Sequence, residues 1–168
     1  MNVLDAAVSK AKEIAAQALA HSAVEPRSQS ITIGAPRAEV AELFADASRL
    51  SVIFGEVADV EETAPQRQRW TFTVVDDQQP VWECVVTVGE STVEFADLQP
   101  DSELRIVLHL RDAPQERGTE VIARVSTPAP GALAGPAIYT ALYRARALLQ
   151  TGEVPTIAQN PSHRRSPR

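Results

Sequence analysis

Three histidines, one cysteine and two tyrosines are the residues of this 168-residue chain whose types suit chemistry, and their spacing limits what that chemistry is. His21, His109 and His163 fall in a helical run, a strand run and a polar terminal stretch, with no spacing that gathers ligands around a metal. No metal site is expected. His109 stands between Leu108 and Leu110 in an alternating segment, which turns it away from the apolar set and toward water. Cys84 shares a strand face with Trp82 and Val86. A thiol among apolar side chains stays protonated, and no histidine lies near it in sequence, so Cys84 reads as a small buried hydrophobe and not as a nucleophile. A Gly-rich phosphate loop, a Ser-His-Asp order and a nucleotide motif are all missing from the sequence, so neither covalent catalysis nor a cofactor is expected.

Proton transfer and non-covalent recognition remain. Glu83 alternates with Trp82 and Cys84 and shares the opposite strand face with Val85 and Thr87. If that face lines a cavity, the carboxyl has a raised pKa and moves protons; if it faces water, Glu83 is an ordinary exposed acid. Tyr139 and Tyr143 are one helical turn apart and flank an Ile138/Leu142 stripe. Their hydroxyls either bond a ligand oxygen or stay wet at the edge of the core. Glu83 and Tyr139 are thus the candidate catalytic groups. The candidate lining of an apolar ligand site is Trp70, Phe72, Trp82, Cys84, Ile106, Leu108, Ile138, Tyr139, Leu142 and Tyr143.

These residues need elements to hold them. Residues 2–22 contain no Gly or Pro and place Leu4, Val8, Ala11, Ala15 and Ala18 at helical spacing, which predicts an amphipathic N-terminal helix within a unit of residues 1–26. Its small alanines suit packing on the domain, on a second copy or on a partner protein better than on a lipid surface. Asp5, Lys10, Lys12 and Glu13 interrupt its apolar run, so neither a signal peptide nor a membrane span is expected there.

Residues 27–33 alternate as a half-buried strand that Gly34 stops. Pro36 suits the first turn of a helix reaching about Asp46, and Ser48 to Phe54 forms a second helical stretch ended by Gly55. From Glu56 to Ser126 the period becomes two, marked by Trp70/Phe72/Val74, Trp82/Cys84/Val86/Val88, Val93/Phe95, Leu104/Ile106/Leu108/Leu110 and Val121/Ala123/Val125. Five or six strands joined by short turns make an antiparallel meander. After Pro130 and Gly131, the residues Ile138, Leu142, Ala145 and Leu149 share one face of a last helix, which Gly152 ends. The expectation is an α+β domain over residues 27–152, with a curved sheet of about six to seven strands closed by one helix, and a disordered tail at 153–168. A sheet gripping one helix tends to leave a cavity between them.

Charge narrows the partners. Residues 1–130 carry 21 acidic and 11 basic side chains, whereas residues 131–168 carry one acidic and five basic. An acidic body repels phosphate backbones, so nucleic-acid binding is not expected. The basic Arg164, Arg165 and Arg168 sit among Ser, Pro and His in a stretch too polar to bury. A single cysteine forbids a disulfide framework within the chain and suits a reducing cytoplasm.

The succession ITIGAPRAEVAELFADASRL, VWECVVTV, RGTEVIARV, PAPGALAG and ALLQTGEVPT resembles the START-like (SRPBCC) superfamily, in particular its bacterial polyketide cyclase/dehydrase-like branch with the coenzyme Q-binding-like proteins. The resemblance spans about residues 28–158 and rests on Ile33, Pro36, Phe44, Trp82, Gly118-Thr119, Pro130-Gly131 and the stretch Leu148 to Pro155. It implies a helix-grip fold around an apolar pocket. It carries no catalytic signature. The region Gly131 to Gly152 looks several turns shorter than in that branch, which implies a more open or a smaller pocket.

Three functions follow as expectations. The leading one is non-covalent binding of a hydrophobic or amphipathic small molecule such as a lipid, isoprenoid or polyketide-like compound. The rival is a cyclase/dehydrase-type enzyme, which requires an inward carboxylate, tyrosine or histidine. The third is a non-catalytic interaction module with a filled pocket, dimerising or docking on a protein through the N-terminal helix.

Overall fold

The computed structural model describes residues 27–73, 77–126, 133 and 135–155. The expected helix at 2–22, Val74, the Pro130-Gly131 turn and the tail from residue 156 lie outside the described residues. In chain order the elements are β1 (Arg27–Ile33), α1 (Arg37–Ala45), α2 (Ala47–Phe54), β2 (Ala58–Ala64), β3 (Arg67–Phe72), β4 (Val81–Val88), β5 (Thr92–Asp97), β6 (Arg105–Asp112), a short 3-10 turn (Pro114–Glu116), β7 (Thr119–Val125) and α3 (Gly135–Thr151). Pro36 precedes α1 with extended backbone instead of occupying its first turn. Fixed φ without an N–H serves equally well just outside a helix.

The seven strands form one antiparallel sheet in the order β1-β7-β6-β5-β4-β3-β2. Every neighbouring pair from β2 to β7 is a sequential hairpin. The exception is β1, which lies beside β7, so α1 and α2 carry the chain from one sheet edge to the other. Asp46 articulates them: its carboxylate accepts the Arg49 N–H at 3.0 Å and the Ser48 hydroxyl, capping α2. Those two bonds, the Ser48 hydroxyl first, hold its pKa below the usual carboxylate value.

Alternation along each strand separates two faces. The inner face carries Trp70, Phe72, Trp82, Cys84, Val86, Phe95, Ile106, Leu108, Val121 and Ala123, all buried. The outer face carries ion pairs between Arg69 and Glu83 (2.9 Å), Arg105 and Glu94 (3.0 Å), and Arg111 and Glu120 (3.1 Å). Against the inner face pack Val40, Leu43 and Phe44 of α1, Leu50, Ile53 and Phe54 of α2, and Ile138, Ala141, Leu142 and Ala145 of α3. One apolar core results. Among the described residues no helix is long and apolar enough to cross a membrane.

Candidate functional site

The seam between α3 and the sheet encloses a small chamber. Its walls are Trp70, Ile106, Leu108 and Ala123 from the sheet, Phe44 and Phe54 from α1 and α2, and Ile138, Ala141 and Leu142 from α3. Every one of these side chains is apolar apart from the indole N–H of Trp70. The free volume is about 20 Å³, close to that of a single water. Trp70 is the largest of the walls, and its ring lies 4.8 Å from Phe54 edge-on, 5.7 Å from Trp82, 5.7 Å from Phe95 and 6.2 Å from Phe72. Such offset and edge-to-face pairs add to the area that the rings bury.

Of the residues singled out in the sequence, Trp70, Ile106, Leu108, Ile138 and Leu142 come together around this chamber, whereas Phe72, Trp82 and Cys84 are buried beside it. Glu83, Tyr139 and Tyr143 stand apart from the chamber's walls. Glu83 points outward and pairs with Arg69, its carboxylate accepting bonds from Nε at 3.0 Å and Nη2 at 2.9 Å, so it faces no cavity. Tyr139 and Tyr143 are 50% and 48% exposed and are not among the chamber's walls. The physical reason is the helical pitch: once Ile138, Ala141, Leu142 and Ala145 turn to the sheet, residues one step on point about 100° away. His109 is half-buried on the outer face, opposite Thr92 and Ile122.

Cys84 is fully buried, and burial pushes its thiol up to about 12, with a hydrogen bond to the Trp70 side chain pulling the other way. A thiol so placed is no nucleophile near neutral pH. We expect Ellman's reagent at pH 8 to modify Cys84 only as fast as the protein unfolds; rapid labelling of folded protein would disprove its enclosure.

Sequence reasoning missed Gln68. It sits in the polar run Arg67-Gln68-Arg69, yet only 3% of it is exposed. Its Nε2 donates to the Ala45 carbonyl at the end of α1 (3.0 Å), and its Oε1 accepts from Trp70 Nε1 (3.3 Å). The amide thus ties the crossover helices to the chamber's central ring. Gln68→Leu strands one buried donor and one half-buried acceptor, so chemical denaturation should show a loss of about 1–3 kcal/mol. Its position on the inner-face period was the one available signal.

Larger hollows lie elsewhere and open to solvent. One of about 510 Å³ sits at the turns holding Gly34, Pro36, Asp112 and Arg117; one of about 430 Å³ separates α1 from the β4–β5 turn; one of about 380 Å³ runs between Val52 and Leu148. Each has at least one charged side chain in its lining, and the third is otherwise mostly leucine and valine, whereas the seam is apolar throughout. Among the described residues no three His, Cys, Asp or Glu side chains converge on a point that would hold a metal ion.

An antiparallel sheet wrapped on a C-terminal helix, with an apolar seam between them, defines the helix-grip class of α+β proteins. Among solved structures, the chain is similar to the Deinococcus radiodurans protein DR_A0006, at 23% identity and TM-score 0.61, covering 77% of this chain and 100% of that one. It is also similar to Ms6760 from Mycobacterium smegmatis (18% identity, TM-score 0.55, 75% and 91% covered) and to TTHA0849 from Thermus thermophilus (19%, 0.55, 76% and 99%). At these identities the likeness is one of fold. No protein-family model matches the chain, and no curated protein does.

Proposed function

We propose that this chain is a START-like protein that binds a hydrophobic or amphipathic small molecule non-covalently between α3 and the sheet. The observation that carries the proposal is the seam itself: a void walled by apolar side chains, at the place where the helix-grip fold brings its helix and sheet together. The resemblance to the cyclase/dehydrase-like branch supports it. So does the attachment of α3. Among the described residues its one hydrogen bond to the rest of the domain runs from Arg144 Nη1 to the Ile53 carbonyl, at 3.5 Å. Apolar contacts, which are non-directional, hold the rest of the helix and allow it to move outward without stranding polar groups.

Movement is required, because ligand pockets span about 300–1,000 Å³, far more than the closed chamber. The small Ala141 and Ala145 on the sheet-facing side of α3 let the helix sit close to the sheet. Among the described residues the buried polar side chains are Gln68 and Thr119, and the chamber's walls are apolar. The closed volume also favours a second reading, in which the interior is permanently filled and the chain works as an interaction module through its N-terminal segment.

Thermal denaturation against a panel of neutral apolar compounds tests the proposal. A ligand at 100 times its Kd adds about 2.7 kcal/mol of stability, and Ala141→Leu, which fills the seam, should abolish the gain. No shift with any compound, and no small molecule in native mass spectra of protein from its own host, would leave the module reading.

A further inference from the structure

Two indoles have opposite fates: Trp70 is one of the chamber's walls, and Trp82 lies behind it, ring centroids 5.7 Å apart, without lining the chamber. Trp70 donates its N–H to Gln68. Trp82 lies directly across the β3–β4 pair from it, is 4% exposed, and its Nε1 is buried with no hydrogen-bond partner among the described residues. Buried indole N–H groups normally find an acceptor, so an orphan of this kind asks for an explanation. Trp82 also stands near the start of β4, at the sheet end from which the β3–β4, β5–β6 and β7–α3 connections leave.

We infer that Trp82 Nε1 is the polar anchor of the site and that the ligand is a neutral molecule with an apolar body and a carbonyl oxygen, such as a long-chain ketone or ester. This rests on the binding function proposed above. The neutrality follows from the surroundings: the chamber beside Trp82 is walled by apolar side chains with no cation among them, and a carboxylate there would lose its hydration without a countercharge. An indole N–H offers one neutral donor, enough to orient a carbonyl but not to compensate an anion. A plain hydrocarbon would leave the donor orphaned.

Two probes of equal chain length, octane and 2-octanone, separate these statements. The chain has two tryptophans, so its indole N–H signals in a ¹⁵N-correlated NMR spectrum are two, and Trp82→Phe assigns them. We expect both probes to shift the methyl signals of Ile138 and Leu142, and 2-octanone alone to move the Trp82 indole proton downfield. Trp82→Phe should weaken 2-octanone about 3- to 10-fold and leave octane unchanged. Methyl shifts from both probes with an unmoved Trp82 indole would overturn the anchor while leaving the binding function standing. No methyl shift from either would overturn the binding function and the anchor with it.

Discussion

Trp70→Ala is expected to cost the domain about 3–5 kcal/mol, read as a lower denaturant midpoint in urea. Small domains have only about 5–15 kcal/mol in total, so the variant should be close to unfolding at 37 °C. The size of the effect follows from what the ring touches. Phe54, Phe72, Trp82 and Phe95 all lie within 6.2 Å of it, centroid to centroid, and the ring is 1% exposed. Four aromatic neighbours cannot collapse into one gap without leaving their rotamers, so most of the cavity stays open. Truncation also leaves Gln68 Oε1 without its donor. Trp70→Phe keeps most of the apolar body and removes only that bond, and should therefore cost clearly less. A loss under about 1 kcal/mol for the alanine variant would mean that the ring is not the hub of the seam.

Gly118→Ala should be comparably damaging, at about 3–5 kcal/mol, although it adds a single methyl group. Gly118 enters β7 with φ at +106°, outside the range that L residues readily adopt. A Cβ built there would stand 2.1 Å from the Ile33 carbonyl oxygen and 2.8 Å from both Ala35 N and Gly34 Cα. These are backbone atoms held in place. The Gly118 carbonyl accepts from Ala113 N (2.9 Å), and the neighbouring Thr119 hydroxyl donates to the Ala35 carbonyl (2.8 Å). Relief therefore requires separating β1 from β7. Gly152→Ala is the control, since φ there is +76° but nothing lies within 4 Å of the added carbon, and strain alone should cost about 1–2 kcal/mol. Equal losses at the two sites, measured by thermal and urea unfolding, would show that the clash relaxes cheaply.

Both effects concern positions that sequence reading reached only halfway. The Glu116-Arg117-Gly118 stretch reads as a turn because of its local chemistry. That the glycine is obligatory comes from the end of β1, far earlier in the chain, passing against it. Trp70 reads as an inner-face residue from the Trp70/Phe72 alternation, but its four ring neighbours come from α2, β3, β4 and β5.

What the sequence by itself determined was periodicity: period two from Glu56 to Ser126, the stripe Ile138/Leu142/Ala145, and the glycines Gly55 and Gly152 that end helices. These are local properties, set by backbone sterics and by the 2.0 and 3.6 repeats, so they survive without knowledge of neighbours. They were sufficient for the α+β class and for the order strand, two short helices, sheet, long helix. Tertiary structure alone decided which side of each pattern is interior. Alternation says that Glu83 and Cys84 face opposite ways, but only the packing of α1, α2 and α3 on the Cys84 side sends Glu83 out to Arg69. The same docking turns Tyr139 and Tyr143 to water, buries Gln68 between the Ala45 carbonyl and Trp70, and leaves the Trp82 indole without an acceptor among the described residues. A hydrogen-bond partner or a wall is a property of two distant segments at once, and no local pattern encodes it.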